Sequence, residues 1–188
     1  DLNKFEPTFQ QTDHAGHAYD LAKQAIANAY DVVVAVGGDG TINEIGSALA
    51  GTDTPLGIIP EGSGNGLALY LGIPLHEAGA IRRINRLDMM TVDTGMVNGR
   101  FFFNVAGVGF DASVSDKFAT DTIRGPIGYL RTVKNLLGSY RAKKYRLQID
   151  GKSYDREAFM ISVANSPQYG NNAYIAPNAS VTDGLIDV

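Results

Sequence analysis

Two short apolar segments, each followed directly by a glycine-rich turn and then by a helical pattern, constrain this sequence most. Residues 32–36 (VVVAV) are largely β-branched, which is typical of a strand buried on both faces, and residues 37–41 (GGDGT) follow. Residues 55–60 (PLGIIP) predict a second short buried strand, and residues 61–65 (EGSGN) form the second turn. Strand, turn and helix repeated in this order predict an α/β domain with a parallel sheet.

The helices of this half are marked by apolar spacing and by end signals. Thr41 and Glu44 match the T-x-x-E capping box, so we expect the helix after the first turn to start there. Gly51 supplies the left-handed residue that stops this helix. The other helices predicted in this half span residues 17–29, 66–71 and 75–86.

The second half carries the signals of an antiparallel sheet. Asn98-Gly99 and Asp150-Gly151 are hairpin turns, and strand-like segments flank each of them. The strands predicted around these turns span residues 90–97, 100–105, 145–149 and 153–164, and one helix is predicted at residues 127–140.

The change in character near residue 88 divides the chain. We predict an α/β domain over residues 1–88 and a β-rich antiparallel domain over residues 89–188. Residues 184–188 (GLIDV) predict the start of a strand that has no evident partner within the chain. We therefore expect a larger protein, with this chain incomplete at both ends and its second domain truncated.

Composition excludes several classes of protein. The net charge of −4 and pI of about 5.3 do not indicate the excess of positive charge that is typical of nucleic-acid-binding proteins. No cysteine is present, so disulfides and thiolate metal sites are excluded. No apolar run approaches the roughly 20 residues that span a bilayer. We expect a soluble cytoplasmic protein, and any contact with lipid must then be made from the water side.

The first glycine-rich turn has the features of an anion site. Free N–H groups and a helix dipole converge where a buried strand turns into a helix, and glycine lets the backbone approach a phosphate closely. Asp39 is unusual there, because a carboxylate repels phosphate unless Mg²⁺ bridges the charges or the carboxylate takes a proton during transfer. Asp39 is the candidate catalytic residue, as a general base or as an organiser linked to Mg²⁺. The alternative is a tight turn in which Asp39 is only a turn former.

Familiar phosphate and nucleophile motifs are absent. The sequence contains no G-x-x-x-x-G-K-[ST], and Asn43 stands where G-x-G-x-x-G needs its last glycine. Ser63 is not a nucleophile elbow, because Glu61 replaces the first glycine of G-x-S-x-G. The second turn instead offers the Ser63 hydroxyl and the Asn65 amide to a ligand. We expect both turns to open on the same sheet edge.

Several motifs together resemble the diacylglycerol kinase catalytic family, which includes bacterial lipid kinases and sphingosine kinases. They are GGDGT with Ile42-Asn43-Glu44, residues 58–68 (IIPEGSGNGLA), Val92-Asp93, residues 103–111 (FNVAGVGFD), residues 175–180 (IAPNAS) and residues 183–187 (DGLID). The resemblance covers nearly the whole chain. GGDGT alone is shared with NAD kinases and phosphofructokinases, so the implied N-terminal fold is NAD kinase/phosphofructokinase-like.

The resemblance implies that residues 1–88 are a nucleotide-binding domain and that residues 89–188 are a lipid-binding domain, and it implies roles for individual residues. Residues matching the family's ATP-binding positions are Thr12, Gly38, Asp39, Gly40, Thr41, Asn43, Glu44 and Ser63. A Mg²⁺ site is implied at the Asp183 carboxylate with the carbonyl oxygens of Ser180 and Leu185, a donor set of the hard oxygen type that Mg²⁺ prefers. When the resemblance is set aside, Asp183-Gly184 indicates a simple turn as much as it indicates a metal site. Asp111 matches the acid near the lipid head group in sphingosine kinases.

The sequence also departs from the family. Bacterial relatives place a catalytic acid in an Asp-Gly-Glu segment beyond the D-G-L turn, and this chain ends first; the opening strand with its Asn-Pro segment is also absent. Asp39 is therefore the best acid available in this chain.

Two polar clusters have open interpretations. Asp13, His14 and His17 suggest a metal site, although capping and solvent contact are commoner roles at a helix start. A basic run suits anionic lipid heads or a solvated loop, and its members are Arg141, Lys143, Lys144 and Arg146.

These inferences together predict an ATP-dependent lipid kinase that moves the γ-phosphoryl group of ATP to a hydroxyl of diacylglycerol or a sphingoid-type lipid. The predicted cofactors are ATP and Mg²⁺, and the partner is a membrane lipid, not nucleic acid. The predicted location is cytoplasmic and peripheral at the membrane, with a homodimer left open. The rivals are an NAD kinase-like or sugar-phosphate kinase and a non-catalytic nucleotide- or lipid-sensing module.

Overall fold

The computed structural model describes residues 4–110, 112–114, 117, 125–171 and 173–188. The chain packs into two compact units. The first runs up to Val105 and includes Ala164–Asp187, and the second comprises Ala106–Val163 with Val188. These two units are defined by contacts within the structure. The division after residue 88 was predicted from the sequence pattern and from function, which these units do not test, and it stays a prediction.

The first unit contains the predicted parallel strand pair. Its elements up to Arg86 are α1 (His17–Ala27), β1 (Val33–Gly37), α2 (Asp39–Leu49), β2 (Leu56–Pro60), α3 (Gly66–Tyr70) and α4 (Glu77–Arg86). Strands β1 and β2 are parallel, with Val33 opposite Leu56 and Gly37 opposite Pro60. Because parallel strands share one carboxyl edge, the turns that follow β1 and β2 leave the sheet on the same side. The predicted α/β class of this half is confirmed.

The core of this unit lies between α1, α2 and the strand pair. Ala18 and Ala22 of α1 are buried, and their small side chains let α2 pack closely against this helix. Ile42 of α2 and Ala35 of β1 complete the centre of this core. Burial of a side chain such as that of Ile42 contributes roughly 1.5–3 kcal/mol to stability. The packing fixes α2, and with it the turn between β1 and α2.

One side of β1 is less buried than its apolar sequence predicts. Ala35 is fully buried, but Val34 is 38% and Val36 is 60% exposed. A cavity of about 370 Å³ lies beside β1, and its walls also include α1 and residues of the segment 8–12. The prediction that this strand is buried on both faces is wrong, because the cavity leaves one side of it open.

Helix α2 begins earlier than its sequence signal indicates. It starts at Asp39, and its N-cap is Gly38, which has extended backbone and contributes no side-chain cap. The Glu44 carboxylate does not close a capping box; its Oε1 accepts a hydrogen bond of 2.9 Å from the Gly16 N–H. The predicted start at Thr41 is therefore wrong. The Glu44 carboxylate, on which the predicted capping box depended, instead binds the backbone N–H of Gly16, the residue before α1. Gly51 after this helix has a φ of 75°, as expected for its left-handed stop.

A predicted hairpin follows α4. Strands β3 (Gly95–Val97) and β4 (Arg100–Phe102) pair antiparallel. Asn98 and Gly99 both have positive φ, of 50° and 76°, which the two-residue hairpin turn requires. The hairpin is confirmed, with shorter strands than predicted.

The C-terminal segment of the first unit has a partner. Ala164 and Asp187 exchange two backbone hydrogen bonds of 2.8 and 2.9 Å. The expectation that residues 184–188 lack a partner within the chain is wrong, because Asp187 pairs with Ala164, which lies far from it in sequence.

The second unit is β-rich with one long helix among its described residues. Its elements are β5 (Val105–Gly109), α5 (Gly125–Leu137), β6 (Lys143–Ile149), β7 (Lys152–Ala158) and β8 (Met160–Ala164). Strands β6 and β7 form an antiparallel hairpin around Asp150 and Gly151, and β5 pairs with β8. The strand predicted over residues 153–164 is interrupted at Phe159, whose carbonyl accepts the Phe110 N–H. The predicted antiparallel, β-rich class of this half is confirmed.

The basic run lies mainly on a strand instead of a loop. On β6, Lys144 stands opposite Glu157 of β7, and Arg146 bonds Asp155 at 2.9 Å. The run is solvated as expected, but opposite charges across the hairpin accompany it. Among the helices that the structure describes, none is both long and apolar enough to cross a membrane.

Candidate functional site

The two glycine-rich turns touch each other at the carboxyl edge of the strand pair. We call Gly37–Thr41 the first glycine loop and Glu61–Asn65 the second. The Glu61 N–H donates a 2.9 Å hydrogen bond to the Gly37 carbonyl. A Cβ placed on Gly62 would lie only 2.5 Å from the Gly38 Cα. Glycine is therefore required at this crossing, because the backbones approach too closely for a side chain.

Asn65 holds the second glycine loop in shape. Its Oδ1 accepts the Gly62 N–H at 2.8 Å, and its Nδ2 donates to the Gly62 carbonyl at 2.7 Å. Asn65 is 7% exposed and takes a left-handed φ of 50°, a conformation that asparagine tolerates better than most residues. One N–H and one lone pair of this amide are thus used within the loop, and its contact with a ligand stays a prediction.

Asp39 brings a partly buried carboxylate to the point where the loops meet. Its Oδ1 is buried and accepts no hydrogen bond from the described residues. Burial raises the pKa of Asp39, and the N–H groups of Leu67, Gly66 and Asn65 offset part of that rise. Burial and an Oδ1 atom without a hydrogen-bond partner increase the affinity of this carboxylate for a proton or a cation. This environment fits both roles predicted for Asp39, proton acceptor or partner of a metal-bound phosphate.

Residues 169–171 cover the second glycine loop, a role that sequence reasoning missed. Gly170 pairs with Asn65 through an antiparallel bridge, and the Asn171 Nδ2 donates to the Ser63 carbonyl at 2.8 Å. A Cβ on Gly66 would lie 2.5 Å from the Tyr169 carbonyl oxygen. Gly170 and Asn171 both have positive φ, of 127° and 48°, so the Gly-Asn pair was the local signal of a special backbone position.

The remaining predicted nucleotide residues are distributed around these loops. Thr12 and Thr41 both line the cavity beside β1. Ser63 and Gly40 are exposed, and the space around Gly40 is open. Glu44 is engaged by Gly16, and the carbonyl of Asn43 accepts the Ser47 hydroxyl within α2. The structure therefore brings Gly38, Asp39 and Ser63 to the contact between the loops and places Thr12 with Thr41 beside β1.

The turn predicted to hold Mg²⁺ is fixed by two carboxylates. The Asp183 Oδ1 accepts the Leu185 N–H at 3.0 Å, and the Asp93 Oδ2 accepts the Gly184 N–H at 2.7 Å. Asp183 is exposed. Its carboxylate and the carbonyl oxygens of Ser180 and Leu185 form an all-oxygen donor set, which fits the chemistry of Mg²⁺. The part played by Asp93 was not predicted. Asp111, the expected lipid-head residue, lies outside the described residues.

Comparison with protein families identifies two consecutive matches. Residues 1–97 match the model of the diacylglycerol kinase catalytic domain, and residues 104–188 match the YegS C-terminal NAD kinase beta sandwich-like domain. The first match alone spans more than half of the chain and contains both glycine loops.

Individual relatives agree with these matches. A diacylglycerol kinase of Bacillus subtilis is 33% identical over 190 residues, covering 98% of this chain and 62% of the relative. A protein of Pseudomonas putida with the description "Probable lipid kinase YegS-like" is 33% identical over 181 residues, covering 94% of this chain and 61% of that protein. A crystal structure of a diacylglycerol kinase from Bacillus anthracis has a TM-score of 0.72 and 30% identity, covering 93% of this chain and 58% of that one.

This chain thus spans about three fifths of the length of the curated relatives it matches. The match to the catalytic-domain model, the glycine loops within it and the shared fold agree. The chain belongs to the diacylglycerol kinase catalytic-domain family of lipid kinases.

Proposed function

We propose that the protein transfers the γ-phosphoryl group of ATP to a hydroxyl of a lipid of the diacylglycerol or sphingoid type. The observation that carries this proposal is the backbone contact between the two glycine loops, with the partly buried Asp39 carboxylate beside it. Phosphoryl transfer depends mainly on positioning and on stabilisation of charge, which such a rigid contact supplies.

The first glycine loop is the proposed cradle for the ATP phosphates. It leads into α2, an 11-residue helix whose first N–H groups have no partner within the helix and whose dipole favours an anion. A Cβ on Gly40 would meet no atom within 4 Å, so the backbone there leaves room for phosphate oxygens, whereas at Gly38 the backbone of Gly62 fills that space. Ser63 of the second loop and Thr12 with Thr41 beside β1 are the further proposed contacts to the nucleotide.

Asp39 is the proposed proton acceptor. The lipid hydroxyl must lose a proton when it attacks the γ-phosphorus, and a carboxylate whose pKa is raised by burial accepts that proton more readily than an exposed one. This role gives a reason for an acidic residue in a loop that binds phosphates. The negative charge of Asp39 must then be balanced against the charge of the phosphates.

Mg²⁺ is the proposed metal cofactor. Asp183 with the carbonyls of Ser180 and Leu185 would hold it, and bound Mg²⁺ supplies neutralisation of phosphate charge. Asp93 would keep the turn in shape, because it already accepts the Gly184 N–H. Asp111 is proposed to lie near the lipid head group, and a membrane lipid as acceptor implies peripheral contact with a bilayer.

The test is transfer of label from γ-labelled ATP with Mg²⁺, using the full-length protein and four separate acceptors. Diacylglycerol and sphingosine are presented in mixed detergent micelles, and NAD⁺ and fructose 6-phosphate in solution. We expect label in a lipid and its loss in Asp39→Asn, with Asp53→Asn as a control that removes an exposed aspartate charge. Label in NAD⁺ or the sugar phosphate contradicts lipid specificity. Binding of ATP without any labelled acceptor favours a sensing module.

A further inference from the structure

We infer that Asp13, His14 and His17 form a binding site for a divalent transition-metal ion of the zinc type, separate from the proposed Mg²⁺ site. One ligand atom from each of the three side chains lies within 4.8 Å of the other two. The His17 Nδ1 is 2.8 Å from the Asp13 Oδ1, and the His14 Nδ1 is hydrogen-bonded to the same oxygen. Three donor atoms of metal-ligand type thus converge on one point.

The two imidazole rings are arranged to present their nitrogens together. They stack with centroids 4.7 Å apart and an interplanar angle of 9°. Near-parallel rings allow both Nδ1 atoms to face the same carboxylate. A tetrahedral ion bound at about 2.0–2.2 Å from each donor requires donor separations of roughly 3.3 Å, so only small movements of exposed side chains are needed.

The His17 Nδ1 atom has two polar contacts within the cluster, and it can satisfy only one of them at a time. The Asp13 N–H lies 3.3 Å from the His17 Nδ1, which would then act as an acceptor, whereas the Asp13 carboxylate requires the same atom to be a donor. One nitrogen cannot fill both roles at once. In the neutral tautomer that carries its proton on Nε2, the His17 Nδ1 keeps its lone pair and can coordinate a metal in place of the contact with the Asp13 N–H.

The cluster does not cap the helix that follows it. The N-cap of α1 is Gly16, with a φ of 90° and no side-chain cap bond. Helix capping, the commoner role for such residues, is thus not the role of Asp13 or His14. The Gly16 N–H is anchored by the Glu44 carboxylate at 2.9 Å, which holds the backbone next to the cluster in place. The backbone is therefore anchored before a metal binds.

The exposure of the three side chains suits an open metal site. The side chains of Asp13 and His14 are 73% and 63% exposed, while that of His17 is 24% exposed. Water can complete the coordination on the exposed side, and His17 provides the less mobile ligand. Two imidazoles and a carboxylate favour Zn²⁺ over Mg²⁺, which prefers oxygen ligands.

A bound ion would fix the segment that carries Thr12. That residue is adjacent to Asp13 and lines the cavity beside β1. Metal binding would then hold the side chains of residues 13–17 together next to Thr12 without taking part in phosphoryl transfer. The site is therefore testable independently of the kinase activity.

The experiment measures Zn²⁺ binding by tag-free protein that has been stripped with a chelator, using competition with a fluorescent zinc indicator. Co²⁺ absorption spectra provide a second readout of imidazole coordination. We expect one ion per chain for the wild type. His14→Ala should weaken Zn²⁺ binding at least ~10-fold, and Asp13→Asn and His17→Gln should do the same.

His76→Asn is the matched control, because His76 is the one other histidine of the chain and an asparagine keeps the N-cap of α4. Its Zn²⁺ affinity should equal that of the wild type. His14 is largely exposed, so thermal melting of His14→Ala should match the wild type and exclude misfolding as the cause of weaker binding. Equal affinity in the wild type and His14→Ala, or no stoichiometric binding in the wild type, overturns the proposal.

Discussion

Replacement of Gly62 by alanine tests whether the contact between the glycine loops creates the site. The added Cβ would lie 2.5 Å from the Gly38 Cα and 2.8 Å from the Asn65 Oδ1. Carbon atoms pack at about 3.5–4.0 Å, so the loops must separate by roughly 1 Å. Gly62 does not have a positive φ, and the effect of Gly62→Ala therefore comes from this contact and not from backbone strain.

The expected magnitudes differ for stability and activity. Overpacking of this kind costs about 1–3 kcal/mol in the free energy of unfolding. Displacement of a positioning group by ~1 Å can lower a reaction rate on the order of 100-fold. Gly62→Ala should therefore remain folded under mild conditions while its turnover of ATP falls by about two orders of magnitude.

The assay pairs urea denaturation with label transfer from ATP, and Gly138→Ala is the matched control. A Cβ on Gly138 meets no atom within 4 Å, and its φ is not in the left-handed region. The control should keep both stability and activity. Gly62→Ala with wild-type activity would refute the inference that the loop contact positions the phosphates, whereas equal losses in both variants would point to a general effect of glycine replacement.

Three further predictions concern single residues. Asn65→Gly and Asn65→Ala both lose two hydrogen bonds to Gly62, but only alanine adds backbone strain at a φ of 50°. In urea denaturation Asn65→Ala should therefore be about 1 kcal/mol less stable than Asn65→Gly, and equal stabilities of the two variants contradict this. Burial raises the pKa of Asp39 above 3.8, so its contribution to stability is lost as the pH rises through the folded-state value. The stability gain of Asp39→Asn over the wild type should therefore be larger at neutral pH than near pH 3.8 in urea denaturation, and a gain that is smaller at neutral pH contradicts the raised pKa of Asp39. Gly151→Ala, at a φ of 76° with open space around it, should cost about 1 kcal/mol through backbone strain alone, measurably more than Gly138→Ala.

Local signals were sufficient for much of the fold. The runs at residues 32–36 and 55–60 predicted the parallel strands, and Asn98-Gly99 predicted a hairpin whose two turn residues do have positive φ. These features depend on the preferences of a few neighbouring residues. The family motifs then identified the lipid kinase family, which the match over residues 1–97 confirms.

Features made by residues distant in sequence were not predictable in this way. The Glu44 carboxylate was assigned to a capping box because the pattern is local, yet it bonds Gly16 of another helix entrance. The Asp93 carboxylate meets Gly184, and Asn171 meets Ser63, across separations with no periodicity to reveal them. The predicted roles of the site residues in binding and catalysis remain predictions for the experiments above.

Hydrogen exchange of backbone amides, with and without ATP and Mg²⁺, tests most directly whether the two glycine loops hold the nucleotide. The account predicts slower exchange in residues 37–49 and 61–70, the two loops with the helices that follow them. The β6–β7 hairpin, residues 143–158, should be unchanged and serves as an internal reference. Protection that avoids both loops, or an absence of any protection at saturating ATP, would contradict the account.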